Sequence, residues 1–211
     1  MRKLVVGTFI SLDGVMQAPG GPDEDRDGGF EHGGWVVPFI GEEFMAQVGA
    51  EVEALGALLL GRKTYDVFAA SWPLRGDEDP IAAKLNSVPK YVVSRTLDKA
   101  EWNNSTVLTG DVATAVAELK RQPGDGEIQV TGSGEVVQTL LRHDLVDVYR
   151  VKVFPVLVGS GKRLFGDGTL PRGLTLVEST TTANGVTMST YARAGELRTG
   201  FYGAEYDNDG K

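Results

Sequence analysis

Ile128-Gln129-Val130-Thr131-Gly132-Ser133-Gly134-Glu135-Val136-Val137-Gln138-Thr139-Leu140-Leu141 is the stretch that decides how this chain folds. Ile128, Val130 and Thr131 are β-branched residues in a short apolar run, as in a buried strand. Gly132-Ser133-Gly134 is turn chemistry, and Val136, Val137, Leu140 and Leu141 then fall on one face of a helix. A strand delivered through a glycine turn into an amphipathic helix is the repeating piece of a parallel sheet with helices on its faces.

The same alternation extends towards the N-terminus. Residues 3–10 read as a strand buried on both faces. Residues 39–54 carry Phe39, Ile40, Phe44, Met45, Val48 and Val52 near helical spacing. Residues 57–60 form a short buried strand, Gly61-Arg62-Lys63-Thr64 its turn, and 65–71 a helix stopped by Trp72-Pro73. A helical turn or two at 81–88, strands at 90–94 and 106–108, and a helix behind the N-cap Asp111 complete the series. After Leu145 the helices cease. Strands are expected at 146–154, 174–182 and 186–192, the last two joined by Asn184-Gly185, a strong hairpin signal. The expectation is one α/β domain over 1–194, a mainly parallel mixed sheet with an antiparallel C-terminal hairpin, and a tail at 195–211. The polar segment 17–34 is too long for an idle connection and suits a functional loop.

Composition narrows the chemistry. The chain has 211 residues, a hydrophobic fraction of 41% and no cysteine. Disulfides, iron–sulfur ligation, cysteine zinc sites and thiol nucleophiles are thereby excluded. Two histidines, His32 and His143, lie far apart, so no histidine-rich metal site is expected. The formal charge of −8 argues against nucleic acid or an anionic membrane as partner, while leaving room for a local phosphate site. Met1-Arg2-Lys3 and the short apolar run behind it read as a first strand, not a signal peptide, and no run approaches the length of a membrane span. A cytoplasmic location is expected. Asp23, Asp25, Asp27 and Gly28 copy the opening of a calcium loop, yet its twelfth position is Gly34 and no helix precedes it, so no metal is expected.

Three strand ends resemble one another: Gly61-Arg62-Lys63-Thr64, Ser94-Arg95 and Gly132-Ser133-Gly134. Ligands of open α/β sheets bind outside the carboxyl ends of the parallel strands. Glycines admit a ligand close to the backbone, hydroxyls donate, arginines offer planar forks for phosphate, and helix starts favour anions. Walker, Rossmann and hydrolase-elbow patterns are all missing. With no nucleophile constellation, hydride transfer from a bound nicotinamide becomes the attractive chemistry, since the cofactor carries it.

Ile10-Ser11-Leu12-Asp13-Gly14, Leu60-Gly61-Arg62-Lys63-Thr64-Tyr65, Val130-Thr131-Gly132-Ser133-Gly134-Glu135 and Phe154-Pro155-Val156-Leu157-Val158-Gly159-Ser160-Gly161 occur in this order. Together they resemble the dihydrofolate reductase superfamily, most closely the C-terminal reductase domain of bacterial riboflavin-biosynthesis deaminase/reductases, over residues 3–192. The resemblance implies a three-layer αβα fold and NADPH across the strand ends. The pyrophosphate would lie near Gly132, Ser133, Gly134 and Glu135, the 2′-phosphate near Gly61, Arg62, Thr64, Ser94 and Arg95, and the nicotinamide near Val6, Leu12 and Gly14. A pteridine, pyrimidine or related ring would sit among Asp13, Trp35, Ile40, Phe44 and Phe154. Asp13 is the first choice for orienting substrate or relaying a proton, with Glu42 or Glu43 behind it. A homodimer is implied as well. Two positions depart from the family: its paired glycines are Gly132-Ser133, and the carboxylate that engages a pterin falls on Ile40, so dihydrofolate itself is not the expected substrate. The alternative is a catalytically silent module that binds a nucleotide or flavin on the same fold.

Overall fold

Strand β1 (Leu4–Ser11) runs through the middle of an eight-stranded sheet, buried along most of its length as its unbroken apolar run requires. The structure, a computed structural model, describes residues 1–76 and 78–200. The remaining strands are β2 (Leu55–Gly61), β3 (Lys90–Val93), β4 (Ser105–Leu108), β5 (Glu127–Thr131), β6 (Val148–Phe154), β7 (Leu174–Thr181) and β8 (Thr187–Arg193). Their order across the sheet is β4-β3-β2-β5-β1-β6-β8-β7. The first six are mutually parallel, and β8 and β7 add antiparallel. This is the mainly parallel mixed α/β sheet that the sequence predicts, with the hairpin where Asn184-Gly185 placed it.

Helices α1 (Glu42–Glu53), α2 (Arg62–Ser71), α3 (Pro80–Ser87), α4 (Val112–Arg121) and α5 (Gly134–Arg142) cover the two faces. Val136, Val137, Leu140 and Leu141 of α5 join Val116 and Leu119 of α4 on one face, over Leu4, Val6, Leu59, Ile128 and Val130. Burying each such side chain is worth about 1.5–3 kcal/mol. The other face carries two separate clusters. Phe44 packs with Phe9, Trp35 and Phe154, while Tyr65, Leu85 and Trp102 pack with Leu58, Leu60 and Val92. Asp111 caps α4 as expected, accepting from Thr114 N at 2.8 Å. Within the second of these clusters lies a fully buried cation: Lys90 Nζ donates to Asn86 O at 2.8 Å and Asn103 O at 2.9 Å, under the Trp102 ring.

Two helix starts differ from the sequence expectation. α1 begins at Glu42 because Val37–Phe39 forms a separate 3-10 turn around Pro38, and Gly41 is extended. α2 begins at Arg62, so Arg62, Lys63 and Thr64 form a helical first turn, not a connecting loop. Residues 195–200 form no regular element, and the rest of the expected tail, 201–211, lies outside the described residues. Among the described residues no helix is long and apolar enough to cross a membrane.

Candidate active site

Strands β3, β2 and β5 are neighbours and run the same way, so the turns that follow them stand side by side. Gly61 pairs with Val93, and Leu59 with Val130, which brings the three strand ends level. The junction of β2 and β5 is a direct bond: Gly61 N donates to Ser133 Oγ at 2.7 Å, and Ser133 Oγ donates to Thr64 Oγ1 at 2.8 Å. Gly132 and Ser133 both adopt left-handed backbone, φ 65° and 62°. Serine tolerates that region at a cost of about 1–2 kcal/mol, which its two side-chain bonds offset. The departure from paired glycines is thus accommodated with trans peptides, no cis bond occurring among the described residues.

No side chain caps α2 or α5, so the first-turn N–H groups of both helices remain available to an anion. Thr64 Oγ1, accepting from Ser133, keeps its own proton to donate. Arg62 is held along its helix, Nε donating to both oxygens of Asp66 at 2.8 and 2.7 Å, with its side chain partly exposed. Arg95 is exposed beside Ser94, whose Oγ accepts from Thr96 N and Leu97 N and fixes the turn. Glu135 is exposed in the first turn of α5 and offers a ligand only its backbone. Val6 is completely buried in the α4–α5 core, so its side chain reaches no ligand; the sequence reading placed it one layer too high.

The ends of β1 and β6 form the other half of this edge. Leu12 and Ile40 are exposed, the latter to 43%, and Gly14 turns the chain with φ 85°. Asp13 is tied down. Its Oδ1 accepts from Ser11 Oγ at 2.5 Å and Val158 N at 3.1 Å, its Oδ2 from Gly159 N at 2.8 Å. The Ser11 hydroxyl first, then the Val158 amide, hold its pKa at about 2. A carboxylate so placed clasps two loops together and has no proton to give near neutrality. Glu43 is likewise engaged, accepting from Ala183 N at 2.8 Å at the hairpin tip, while Glu42 is exposed.

Trp35, Phe44 and Phe154 are core residues, which corrects their expected place as a substrate lining. Phe154 has no exposed surface and meets Phe9, Trp35, Phe39 and Phe44 with ring centroids 5.6–5.9 Å apart. Such tilted and edge-on pairs fill the space between α1 and the sheet. Aromatic residues ahead of a helix look alike in sequence whether they face a ligand or each other.

The segment 17–34 closes over the edge between the two halves. Gln17, only 4% exposed, pins it: Nε2 donates to Asp25 O and Asp27 O at 3.1 and 3.0 Å, and Oε1 accepts from Lys162 N at 3.0 Å. Asp25 and Asp27 then pair with Lys63 and Lys162. The sequence reading passed over Gln17, Lys63 and Lys162, since nothing local marks partners that lie from 8 to 145 residues apart. The calcium-like aspartates have cations of the chain as partners, Arg26 for Asp23 and lysines for Asp25 and Asp27, and no metal-holding cluster occurs among the described residues.

The RibD C-terminal domain family matches residues 2–188. The chain belongs to that family. The uncharacterised protein YyaP of Bacillus subtilis is 28% identical over 199 residues, covering 90% of this chain and 94% of YyaP. A pyrimidine reductase-like protein from Corynebacterium diphtheriae superposes with a TM-score of 0.58 at 13% identity, covering 92% of this chain and 93% of that one. Dihydrofolate reductase from Enterococcus faecalis, complexed with NADP(H), gives 0.57 at 15% identity, covering 90% and 96%. These structural likenesses establish the dihydrofolate reductase fold for this RibD-type domain.

Proposed function

We propose that this RibD-type domain is an NADPH-dependent reductase that passes hydride to a small heterocycle of the pteridine or pyrimidine kind. Membership of the RibD family and the fold shared with dihydrofolate reductase support a reductase-type function. The observation that carries the cofactor is the alignment of three anion-ready turns on one edge, at Gly61–Thr64, Ser94-Arg95 and Gly132–Gly134. The uncapped first turn of α5 and Gly132 fit a pyrophosphate; Arg62, Thr64, Ser94 and Arg95 fit a 2′-phosphate. When bound, NADPH supplies the hydride. The chain positions it, using Leu12 and Gly14 at the nicotinamide end and the exposed Ile40 towards the substrate. Glu42 is the acid left to orient that substrate, because Asp13 and Glu43 serve the backbone.

A homodimer is proposed too, with β7, exposed along its whole length, as the surface a second copy would cover. One observation favours the silent binding module instead: two of the three candidate acids are committed to loop amides. Titration with NADPH and NADH, then NADPH oxidation over a panel of pterins, pyrimidines and quinones, tests both. Tight NADPH binding with turnover supports the reductase; binding without turnover selects the silent module; no binding of either nucleotide overturns the cofactor assignment.

A further inference from the structure

Four charged side chains from three distant segments meet above the α5 turn. Asp27 Oδ2 accepts from both Lys63 Nζ and Lys162 Nζ, the latter at 2.8 Å, and Asp25 Oδ2 lies 2.5 Å from Lys162 Nζ. Lys63 belongs to the first turn of α2, directly before Thr64, whose hydroxyl touches Ser133. Lys162 precedes Arg163 and Leu164, whose carbonyls accept from Gln138 of α5 at 3.4 and 2.7 Å. Its own carbonyl accepts from Met16 N, and Met16 Sδ is the atom nearest to where a Cβ on Gly134 would lie, 3.8 Å away. The two lysines therefore come from the two segments that flank the start of α5. The acidic strap joins them across it.

From this arrangement we propose that Asp25 and Asp27 act as an internal counter-anion: they hold Lys63 and Lys162 until the phosphates of a dinucleotide take the lysines over and release the strap. The proposal rests on the NADPH reading for the identity of the ligand, but not for the competition itself. Three features support it. The quartet is balanced, two positive against two negative, so an incoming anion finds neither lysine free until a carboxylate leaves. The pairs are half-exposed, hence weak enough to exchange. Asp27 is held ionised, its pKa lowered to about 2 first by Lys162 and then by Lys63, so it competes at every working pH. Gln17 bonds the carbonyls of Asp25 and Asp27 themselves, so an anion releases the two carboxylates and loosens the backbone behind them without detaching it.

The test uses the full chain and two probes, inorganic pyrophosphate and NADPH. Asp25→Asn with Asp27→Asn is expected to tighten both by about two- to fivefold per pair removed, the range for partly screened ion pairs. Lys63→Met with Lys162→Met is expected to weaken both. Hydrogen exchange at residues 23–29 of the unaltered protein is expected to rise on adding either probe. Unchanged or weaker pyrophosphate binding in the Asn variant, or slower exchange in the strap on binding, overturns the proposal and leaves a structural clasp. If pyrophosphate obeys the expected order while NADPH is never oxidised, the counter-anion stands and the reductase reading falls.

Discussion

Ser133 Oγ accepts the Gly61 amide proton at 2.7 Å, so a side chain in a left-handed turn closes the gap between two parallel strands. The same hydroxyl donates to Thr64 Oγ1 and so ties the first turn of α2 to the turn after β5. Ser133→Ala keeps the unfavourable φ and loses both bonds, and is expected to cost about 1–2 kcal/mol. Ser133→Gly loses the bonds but relieves the backbone, so it should be the milder of the two. Urea unfolding of both variants checks the order.

Arg95 and Arg62 are expected to contribute unequally to phosphate recognition. Arg95 is exposed and, among the described residues, forms no ion pair, whereas Arg62 shares its charge with Asp66. Arg95→Ala should therefore narrow the preference for NADPH over NADH by about tenfold, the scale of one charge-assisted bond, and Arg62→Ala by less. The ratio of the two dissociation constants in each variant is the measurement.

Asp13 is expected to matter for order and little for proton transfer. Its folded pKa of about 2 lies below the ordinary 3.8, so its contribution is present above pH 4 and is lost as pH falls through about 2. Asp13→Asn should raise amide exchange at residues 157–160. It should leave the pH profile of any turnover between 5 and 9 unchanged in shape.

Lys90 has the same sign of proton balance in an alkaline window. Burial lowers its pKa from 10.5 to about 8, so between these values the unfolded chain binds more protons than the folded one. Stability is therefore expected to rise with pH across that window, by up to about 1.4 kcal/mol per pH unit from this group. Lys90→Met should abolish the rise. The difference between the two proteins in urea midpoint, followed from pH 7.5 to about 10.5, isolates it.

Phe154 is the ring on which the α1 side of the sheet converges. Phe154→Ala is expected to cost about 3–5 kcal/mol, as a buried aromatic truncation with little room to collapse. Thermal unfolding would show it as a lowered midpoint whether or not nucleotide is present.

The fold was legible because its signals are local. Val136, Val137, Leu140 and Leu141 mark one helical face, Asn184-Gly185 marks a hairpin, and Asp111 marks a helix start, each within a few residues. The same reading set three strand ends side by side, since parallel neighbours must share an edge. It lost Arg62 as the first residue of α2, because the support there is the bond from Gly61 to Ser133, 72 residues later. It took Trp35, Phe44 and Phe154 for a lining because apolar residues carry no mark of which way they face. It gave Asp13 a chemical task because the amides of Val158 and Gly159, which engage it and keep it ionised, are far along the chain. Lys90 was invisible for a related reason: a lysine at a strand start reads as solvated, and only the carbonyls of Asn86 and Asn103 make its burial tolerable.

The order of the strands has a consequence for how such a domain can diversify. β2, β3 and β5, which carry the anion-ready turns, come from the middle of the chain, whereas β6, β8 and the loop joining β6 to β7 come from its C-terminal third. Substitutions that reshape one end of the edge need not pass through the other. Changes confined to its last three strands, Lys162 in the loop between β6 and β7 apart, would leave the turns after β2, β3 and β5 as they are.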